Sequence, residues 1–391
     1  MSSPPESLFT RHFFVMCGFT FTVFFSALAL FPTAPFHVQA LGGSTFAAGS
    51  FLGLLTYASA FSAPFTGALG DRVGKRPVLL TGSAGIAAIM IAYGSVGSYP
   101  LILGLSFVHG IFWSSLLSNS SAYLIDILPE GRRAEGLAYW GLATVLALAL
   151  APPAGFWLYE RSWALLCGVG VLLNLTTTAI AYSLPDSPPP PRQPAAVTLS
   201  QVIEWRVLLV AVSLFLCSFG YGGIASFSAV YAHAHDIAPK SLYLTTLALV
   251  VLVTRPLAGR FADRIGYKQI LGPSFACVAL GLGLLPLSDS RWLFVVSALI
   301  FGVGFGTAYP VFTAYVFQHV PAARRGAAFG SMITAFDIGI GTGSTTIGWL
   351  IQHFGFVAAF AAGAAVSGFA LPYFFAIDWR LYGRRPSSSP N

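Results

Sequence analysis

Charged residues are scarce in this sequence. Asp, Glu, Lys and Arg make up 8% of the chain, whereas an ordinary soluble domain carries about 25%. So few charges cannot cover the surface of a soluble fold of 391 residues, 56% of which are hydrophobic. The composition therefore argues against a soluble globular protein and predicts an integral membrane protein with little mass outside the bilayer.

Cysteine is also scarce, and the usual signatures of catalysis are missing. The four cysteines form no CxxC pair and lie within apolar stretches, so neither a disulfide framework nor a metal site is expected. They are Cys17, Cys167, Cys217 and Cys277. The sequence has no phosphate-binding loop of the GxxxxGK type, no nucleophile elbow and no Ser–Lys signature. We therefore expect neither an ATP-driven pump nor an enzyme, and no cofactor or metal.

Long apolar runs dominate what is present. A helix needs about 20 apolar residues to cross a bilayer, whereas a barrel strand needs only about 10. The apolar stretches are too long and alternate too poorly for strands, so they predict an all-α membrane protein. The twelve predicted spans lie at roughly 12–34, 45–69, 77–97, 99–125, 135–158, 162–184, 205–230, 240–260, 269–287, 291–317, 327–350 and 355–377.

The net charge of +7 comes from an uneven distribution of basic residues. Of the 20 lysines and arginines, Arg161, Lys240 and Arg291 lie in connections placed outside the cell, and Arg255 lies within a span. The other 16 lie in the terminal regions and in the connections after even-numbered spans. By the positive-inside rule, we expect both termini in the cytoplasm. The short loops indicate a cytoplasmic membrane of the prokaryotic kind. The basic excess is a topology signal, so no nucleic acid partner is expected.

Two segments repeat at one fixed offset. GALGDRVGKR begins at Gly67 and GRFADRIGYK begins at Gly259, which is 259 − 67 = 192 positions later. PEGRRAEG at Pro129 and PAARRGAA at Pro321 keep the same offset. A shared offset over more than sixty residues indicates two structural copies with almost no net insertion. In an apolar chain, such a duplication is typical of a transporter whose site lies between two halves.

The duplication predicts two six-helix domains, residues 1–184 and 205–391, joined by a proline-rich cytoplasmic linker at 185–204. With twelve spans, two halves and a Gly-x-x-x-Asp-Arg-x-Gly loop after spans 2 and 8, the chain resembles the major facilitator superfamily over essentially its whole length. The resemblance implies two pseudo-symmetric six-helix bundles, a central cavity and alternating access. It also implies a monomer, as for most of that family.

Span 5 ends in a segment that bears on the branch of this superfamily. Residues 151–155 read APPAG, similar to a degraded form of the antiporter signature, with alanines where glycines are expected. An ordinary proline kink is the alternative interpretation. The chain is thus most similar to the twelve-helix branch of drug and metabolite:proton antiporters.

The resemblance also assigns a gating role to the repeated loops. In the first loop, Asp71 would meet the start of span 11, and Arg72 would pair with Asp126 at the end of span 4. In this superfamily such contacts lock the outward-facing state. The predicted gate residues are Gly67, Asp71, Arg72, Gly74, Arg76 and Asp126 in the first half, and Gly259, Asp263 and Arg264 in the second. The pairs Arg132–Arg133 and Arg324–Arg325 would hold pseudo-symmetric contacts. Solvated charges that only fix the topology are the alternative.

Ionisable residues within the spans are the best candidates for a proton or substrate site, because burying them is costly. Asp337 lies about ten residues, or roughly 15 Å, inside span 11, and His109 lies at similar depth in span 4. A hydrogen bond between helices is the structural alternative for both. Arg255, near the end of span 8, either snorkels to the interface or pairs with an acid across the gate. His37 closes the outer end of span 1.

Together these features predict a proton-coupled secondary transporter that exports a small amphipathic or cationic organic solute, with Asp337, alone or together with His109, taking up the proton. Its partners would be the solute, protons and the lipid bilayer. The alternative is an importer, coupled or facilitative, of a sugar or organic acid. For anions this alternative is weakened because no midplane arginine or lysine stands out. The alternative of another class is a non-transporting sensor, but the sequence shows no soluble output domain for one.

Overall fold

The computed structural model describes residues 8–129, 132–186, 204–321 and 324–382, and no strand occurs in those ranges. The helices were numbered in chain order. They are α1 (Arg11–Leu30), α2 (Ala34–Ala40), α3 (Thr45–Val73), α4 (Lys75–Ser95), α5 (Tyr99–Ile127), α6 (Arg133–Tyr159), α7 (Trp163–Ser183), α8 (Trp205–Ala234), α9 (Leu242–Ile265), α10 (Tyr267–Leu284), α11 (Arg291–His319), α12 (Arg325–Gly368) and α13 (Ala370–Tyr382). A 3-10 turn at Leu285–Leu287 extends α10.

Eleven stretches of the described chain are long and apolar enough to cross a membrane. The last of them, Ala327–Leu381, has 55 residues, or about 80 Å of helix, which is far more than one crossing needs. Its backbone leaves helical geometry at Gly355, where φ is 78°, a conformation that glycine adopts without strain. The two arms on either side of Gly355 correspond to predicted spans 11 and 12. The structure therefore confirms the all-helical membrane fold.

The repeated loops join consecutive helices through glycines in the left-handed region. Gly74 connects α3 to α4 with φ 93°, and Gly266 connects α9 to α10 with φ 101°. These two glycines are 266 − 74 = 192 positions apart. Because side chains with a Cβ rarely adopt such φ values, both copies of the loop need glycine here. This explains one glycine of the repeated pattern as a requirement of the turn.

The first and last residues of equivalent helices far from the loops are also 192 positions apart. Helix α5 begins at Tyr99 and ends at Ile127, and α11 begins 291 − 99 = 192 and ends 319 − 127 = 192 positions later. Helices α3 and α9 also end 265 − 73 = 192 positions apart. The duplication therefore extends from the sequence motifs to the helices. The linker predicted at 185–204 lies mostly in 187–203, outside the described residues.

Polar side chains connect helices within each half. The Asn119 side-chain amide on α5 donates to the carbonyl of Thr66 on α3 at 3.0 Å. The Asn174 amide on α7 donates to Ser26 on α1 at 2.9 Å. Since apolar helices gain little from the hydrophobic effect in lipid, such hydrogen bonds and close packing of small residues are what hold a membrane bundle together.

The two halves touch at one end of the molecule and separate toward the other. At the closed end, which carries the α2–α3 and α8–α9 connections, α3 packs against α12 so tightly that a Cβ on Gly49 would clash with the carbonyl oxygen of Ser344. The basic end is the opposite end, with Gly74 and Gly266. There, a Cβ would meet no atom within 4 Å at four glycines of α3, α6, α9 and α12, which are Gly67, Gly141, Gly259 and Gly330. The hydrogen bonds and ion pairs that join the halves in the described residues all lie between the closed end and the Ser59–Asp337 pair, so the halves separate toward the basic end.

Candidate functional site

Asp337 lies where the contact between the halves ends. It is twelve residues after the start of α12 at Arg325, or about 18 Å of helix, and it is 9% exposed. Its Oδ2 accepts a hydrogen bond of 2.9 Å from the hydroxyl of Ser59, which is buried on α3. This hydrogen bond joins the two halves directly. A buried carboxyl group at this point is sensitive to any movement of one half relative to the other.

The glycines that follow Asp337 allow close approach of a neighbouring helix. A Cβ on Gly339 would contact Phe215, and one on Gly343 would clash with the carbonyl of Phe219, both on α8. The carboxyl group of Asp337 therefore lies on a helix that packs closely against α8 of the same half. Because these glycines have no side chains, α12 can approach α8 closely, and this close packing fixes the position of Asp337 relative to α8.

Arg255 lies deeper in its helix than the sequence indicated. The predicted span ended near residue 260, but α9 continues to Ile265, so Arg255 lies ten residues, or about 15 Å, before its end. Its electrostatic neighbours are Tyr309 on α11 and Tyr221 on α8. Among the described residues it forms no ion pair, so this conformation shows no acid partner across the gate.

Aromatic rings surround these polar groups in the second half. Tyr221 stacks on Phe305 with centroids 4.3 Å apart and an interplanar angle of 13°. Phe336, the neighbour of Asp337, lies 5.2 Å from Tyr309 and 6.1 Å from Phe305. Sequence analysis missed these rings, because 34 phenylalanines in one chain give no indication of which of them face each other.

The two halves meet in a small apolar cluster beside these rings. Leu52 of α3 packs there with Ala225 of α8 and Ile340 of α12. Phe31 and Tyr221 cover this cluster from opposite halves. The cluster lies within the closed-end contact, so Tyr221 faces the junction between the halves.

His109 is separate from this site. It is 1% exposed, and its Nδ1 lies 3.5 Å from the hydroxyl of Tyr93 on α4. No contact joins it to Asp337 in the described part of the chain. The structure thus places this histidine inside the first bundle, next to a tyrosine of a neighbouring helix, which is the arrangement expected for a hydrogen bond between helices. Its role in proton transfer stays a prediction.

His37 belongs to the closed end. Its ring stacks on Trp163 with centroids 3.9 Å apart. Nearby, Lys240 lies 5.5 Å above the ring of Phe36 and forms an ion pair of 3.2 Å with Glu160 of the other half. His37 is therefore part of the packing that closes this end, and it lies apart from Asp337 and Arg255.

The predicted pairing of Arg72 with Asp126 is wrong for this conformation. Asp126 forms an ion pair with Lys75, whose ammonium also donates to the carbonyl of Ala122 at 3.3 Å. Asp71 and Arg72 are exposed and form no ion pair with the described residues. Lys75, and not Arg72, pairs with Asp126 because Lys75 begins α4 and so lies beside the end of α5. Arg72 precedes the turn at Gly74.

In the second loop, Asp263 accepts a hydrogen bond of 2.7 Å from the hydroxyl of Tyr267, and Arg264 is exposed. The double-arginine segments bond within their own halves. Arg132 pairs with Glu135 at 2.9 Å, and Arg324 pairs with Glu204 at 2.9 Å. Each of these described contacts lies within one half, and the locking role of the gate residues stays a prediction.

Two ion pairs that the sequence analysis missed are related by the same duplication. Arg76 pairs with Asp186, and Lys268 pairs with Asp378 at 2.6 Å. Both offsets are 192, since 268 − 76 = 192 and 378 − 186 = 192. Each pair ties the repeated loop to the last span of its half. The fixed offset could have identified both acids, had it been applied beyond the motifs.

The sequence matches the family model of the Major Facilitator Superfamily twice, over residues 16–238 and 210–391. It is 24% identical over 359 residues to the uncharacterized MFS-type transporter YhhS of Escherichia coli (strain K12), covering 90% of this chain and 87% of that protein. It is 28% identical over 382 residues to an uncharacterized MFS-type transporter of Burkholderia mallei (strain SAVP1), covering 94% and 93%. The crystal structure of nucleoside transporter NupG matches the fold with a TM-score of 0.75 at 16% identity, over 94% of this chain and 99% of that one.

Proposed function

Because the chain belongs to the major facilitator superfamily and is a multi-pass membrane transporter of that type, we propose that it is a proton-coupled secondary transporter. It moves a small amphipathic organic solute by alternating access, as a monomer in the cytoplasmic membrane with both termini in the cytoplasm. With the basic end cytoplasmic, as the charge distribution predicts, the described conformation faces inward.

The observation that carries this proposal is the hydrogen bond between Ser59 and Asp337. The carboxyl group can hold or release a proton, and its partner belongs to the other half of the molecule. When the halves separate at the closed end, Asp337 loses this donor and meets a different environment. A carboxyl group whose surroundings change between the two states couples its protonation to the conformational change.

Two directions of transport fit this chemistry, and each has an observation in its favour. Export in exchange for protons is favoured by the antiporter-like segment at 151–155, and a cationic solute would compete with the proton for Asp337. Co-transport of a proton with an acidic solute is favoured by the unpaired Arg255. Both share the proposed role of Asp337.

The test replaces Asp337 by asparagine in proteoliposomes with an imposed pH gradient. A panel of organic anions, lipophilic cations, peptides, metallophores and sugars identifies a solute that moves protons through the wild type. In Asp337→Asn we expect solute-driven proton flux to fall at least about tenfold. Solute exchange without a gradient should persist, because the neutral amide mimics the protonated acid. The sign of the proton flux separates co-transport from exchange.

The matched control is Asp289→Asn, which removes an exposed acid from the loop before α11 and should leave the proton flux unchanged. His109→Gln tests the other candidate, and the position of His109 inside the first bundle predicts that coupling survives. Undiminished proton flux in Asp337→Asn would return Asp337 to a purely structural role.

A further inference from the structure

The second half carries a cationic group, near the depth of Asp337, that no acid of the described residues neutralises. The Arg255 side chain is partly buried within the span. It makes no hydrogen bond or ion pair with the described residues, and the hydroxyl groups of Tyr221 and Tyr309 are its electrostatic neighbours. An unpaired arginine inside a membrane is costly. Such a group is not retained for packing, because an apolar residue would pack there at no such cost.

The groups around Arg255 face the junction between the halves. Tyr221 covers the apolar cluster through which the halves meet. Tyr309 is an electrostatic neighbour of both Arg255 and Asp337. Neither tyrosine hydroxyl donates a hydrogen bond to a described residue. One guanidinium is therefore the electrostatic neighbour of two tyrosine hydroxyls that have no described partner, and one of these tyrosines lies at the junction between the halves.

The duplication shows that the fold does not require these polar residues. Helices α5 and α11 keep the offset of 192 at both ends, α3 and α9 keep it at their last residue, and α6 and α12 keep it at their first. The positions 192 residues before Arg255, Tyr309 and Asp337 are Ala63, Leu117 and Val145. The first half builds the corresponding helices with apolar side chains at all three positions. The same arrangement of helices is thus formed in the first half with apolar residues at these positions.

The surroundings of Arg255 suit an amphipathic anion. A guanidinium binds a carboxylate or sulfonate through two parallel hydrogen bonds, and tyrosine hydroxyls can donate further ones. Next to these donors, Tyr221 stacks face to face on Phe305, and Phe336 lies beside Phe305, so that the three rings form an aromatic apolar wall. A solute that matches both features has a planar apolar body and one anionic group.

We infer that Arg255, with the hydroxyl groups of Tyr221 and Tyr309, binds the anionic group of an amphipathic organic anion whose apolar body lies against Tyr221 and Phe305. This inference rests on the proposed transport function and names its solute class. Asp337 shares Tyr309 as an electrostatic neighbour with Arg255, and the described hydrogen bond of its carboxyl group is with the neutral Ser59. An ionised Asp337 repels an anion at Arg255, so solute and proton bind together. The direction that follows is co-transport.

The experiment measures the binding of four naphthalene probes to the purified full-length protein in lipid nanodiscs by calorimetry. Two probes are anions, 2-naphthalenesulfonate and 2-naphthoate. The other two are the neutral 2-naphthalenesulfonamide and the cationic (2-naphthylmethyl)trimethylammonium. We expect the anions to bind at least about tenfold more tightly than the other two, since a charge-assisted pair is being formed.

Arg255→Gln should remove this preference. We expect it to weaken the binding of the two anions at least about tenfold and to leave the binding of the neutral probe unchanged. Arg255→Lys should be intermediate, because lysine keeps the charge and loses the planar donor fork. Arg260→Gln is the matched control, an exposed arginine on the same helix, and should bind like the wild type. All variants are first compared with the wild type by elution volume and melting temperature, so that misfolding is recognised.

Tighter binding of the ammonium probe, equal anion binding in Arg255→Gln, or no anion binding by folded wild-type protein would each overturn the inference. The two proposals fail independently. If Asp337→Asn keeps full proton flux while Arg255→Gln no longer binds the anionic probes, only the proposed proton role of Asp337 is wrong. If Asp337→Asn loses proton flux while the anions bind regardless of Arg255, only the anion site is wrong.

Discussion

At the scale of single residues, two acids at equivalent positions of the two halves differ in how deeply they are buried. Asp186 and Asp378 each end the last span of a half and pair with a basic residue of the repeated loop. The Asp186 side chain is 78% exposed, whereas that of Asp378 is 8% exposed and also accepts a hydrogen bond from Tyr315. The carboxylate of the pair is therefore solvated in one half and buried in the other, whereas the basic side chain is 20% exposed for Arg76 and 43% exposed for Lys268.

This difference predicts unequal costs for removing the two basic partners. Lys268→Gln leaves a buried carboxylate without its cation, which costs about 1–3 kcal/mol. Arg76→Gln leaves a carboxylate that water still solvates, so the loss of this ion pair costs less than about 1 kcal/mol. The measurement is the melting temperature of each purified variant, with the larger drop expected for Lys268→Gln. Equal drops would mean that the burial of Asp378 contributes nothing to the strength of this pair.

At the scale of helices, the contact between α3 and α12 depends on residues with little or no side chain. A Cβ on Gly49 would clash with the backbone of Ser344, whose hydroxyl donates to the Gly49 carbonyl at 2.7 Å. Next to this point, the hydroxyls of Tyr57 and Thr342 are 2.9 Å apart. Close packing of small residues with interhelical hydrogen bonds stabilises helix pairs in membranes. In the proposed alternating-access cycle this interface must also break, so that it would set the balance between the two states.

Gly49→Ala should therefore weaken the closed end, since the added methyl group meets backbone that cannot move aside. The measurement uses Phe46→Cys/Gln352→Cys in a background without the four native cysteines, because the Phe46 amide donates to the Gln352 side chain at 3.1 Å. Overpacking costs about 1–3 kcal/mol, so we expect disulfide cross-linking to slow by about tenfold. Gly104→Ala on α5 is the control, since its Cβ would meet no atom within 4 Å. Equal rates in both variants would show that Gly49 is not needed for closure.

At the scale of the whole molecule, the halves are held together at one end only. Glu160 and Lys240 belong to different halves and pair at 3.2 Å at the closed end. At the basic end, Asp71 and Arg72 are exposed and available for contacts that form when that end closes. The arrangement is that of one state of an alternating-access cycle, in which the contacts of one end replace those of the other.

The Glu160–Lys240 pair should make only a small contribution to closure, because the Glu160 side chain is 55% exposed. Exposed ion pairs are worth about 0–1 kcal/mol. Glu160→Gln should slow the Phe46→Cys/Gln352→Cys cross-link by less than about fivefold, and 1 M salt should remove the difference by screening. The exchanged pair Glu160→Lys/Lys240→Glu should restore the rate. A larger, salt-independent effect would indicate that Glu160 acts through packing.

The sequence by itself determined the helical fold and its duplication. The lengths of the apolar stretches indicated the spans, since the hydrocarbon thickness that a helix must cross is fixed. The offset of 192 between Gly67 and Gly259 predicted two equivalent halves, and α5 and α11 reproduce it at both ends. Asp337 was identified as a candidate for the same kind of reason, because the cost of burying a charge depends on its depth along a single helix.

The tertiary structure alone decided which side chains meet. Uniformly apolar helices have no polar face from which their rotation could be predicted, so Ser59 could not be recognised as the partner of Asp337. The same limit hid the enclosure of His109 within the first bundle. Arg255 appeared to lie near a span end because the apolar run stops before the helix does. Its proximity to Tyr309 and Tyr221 depends on three helices coming together, and only their packing determines it.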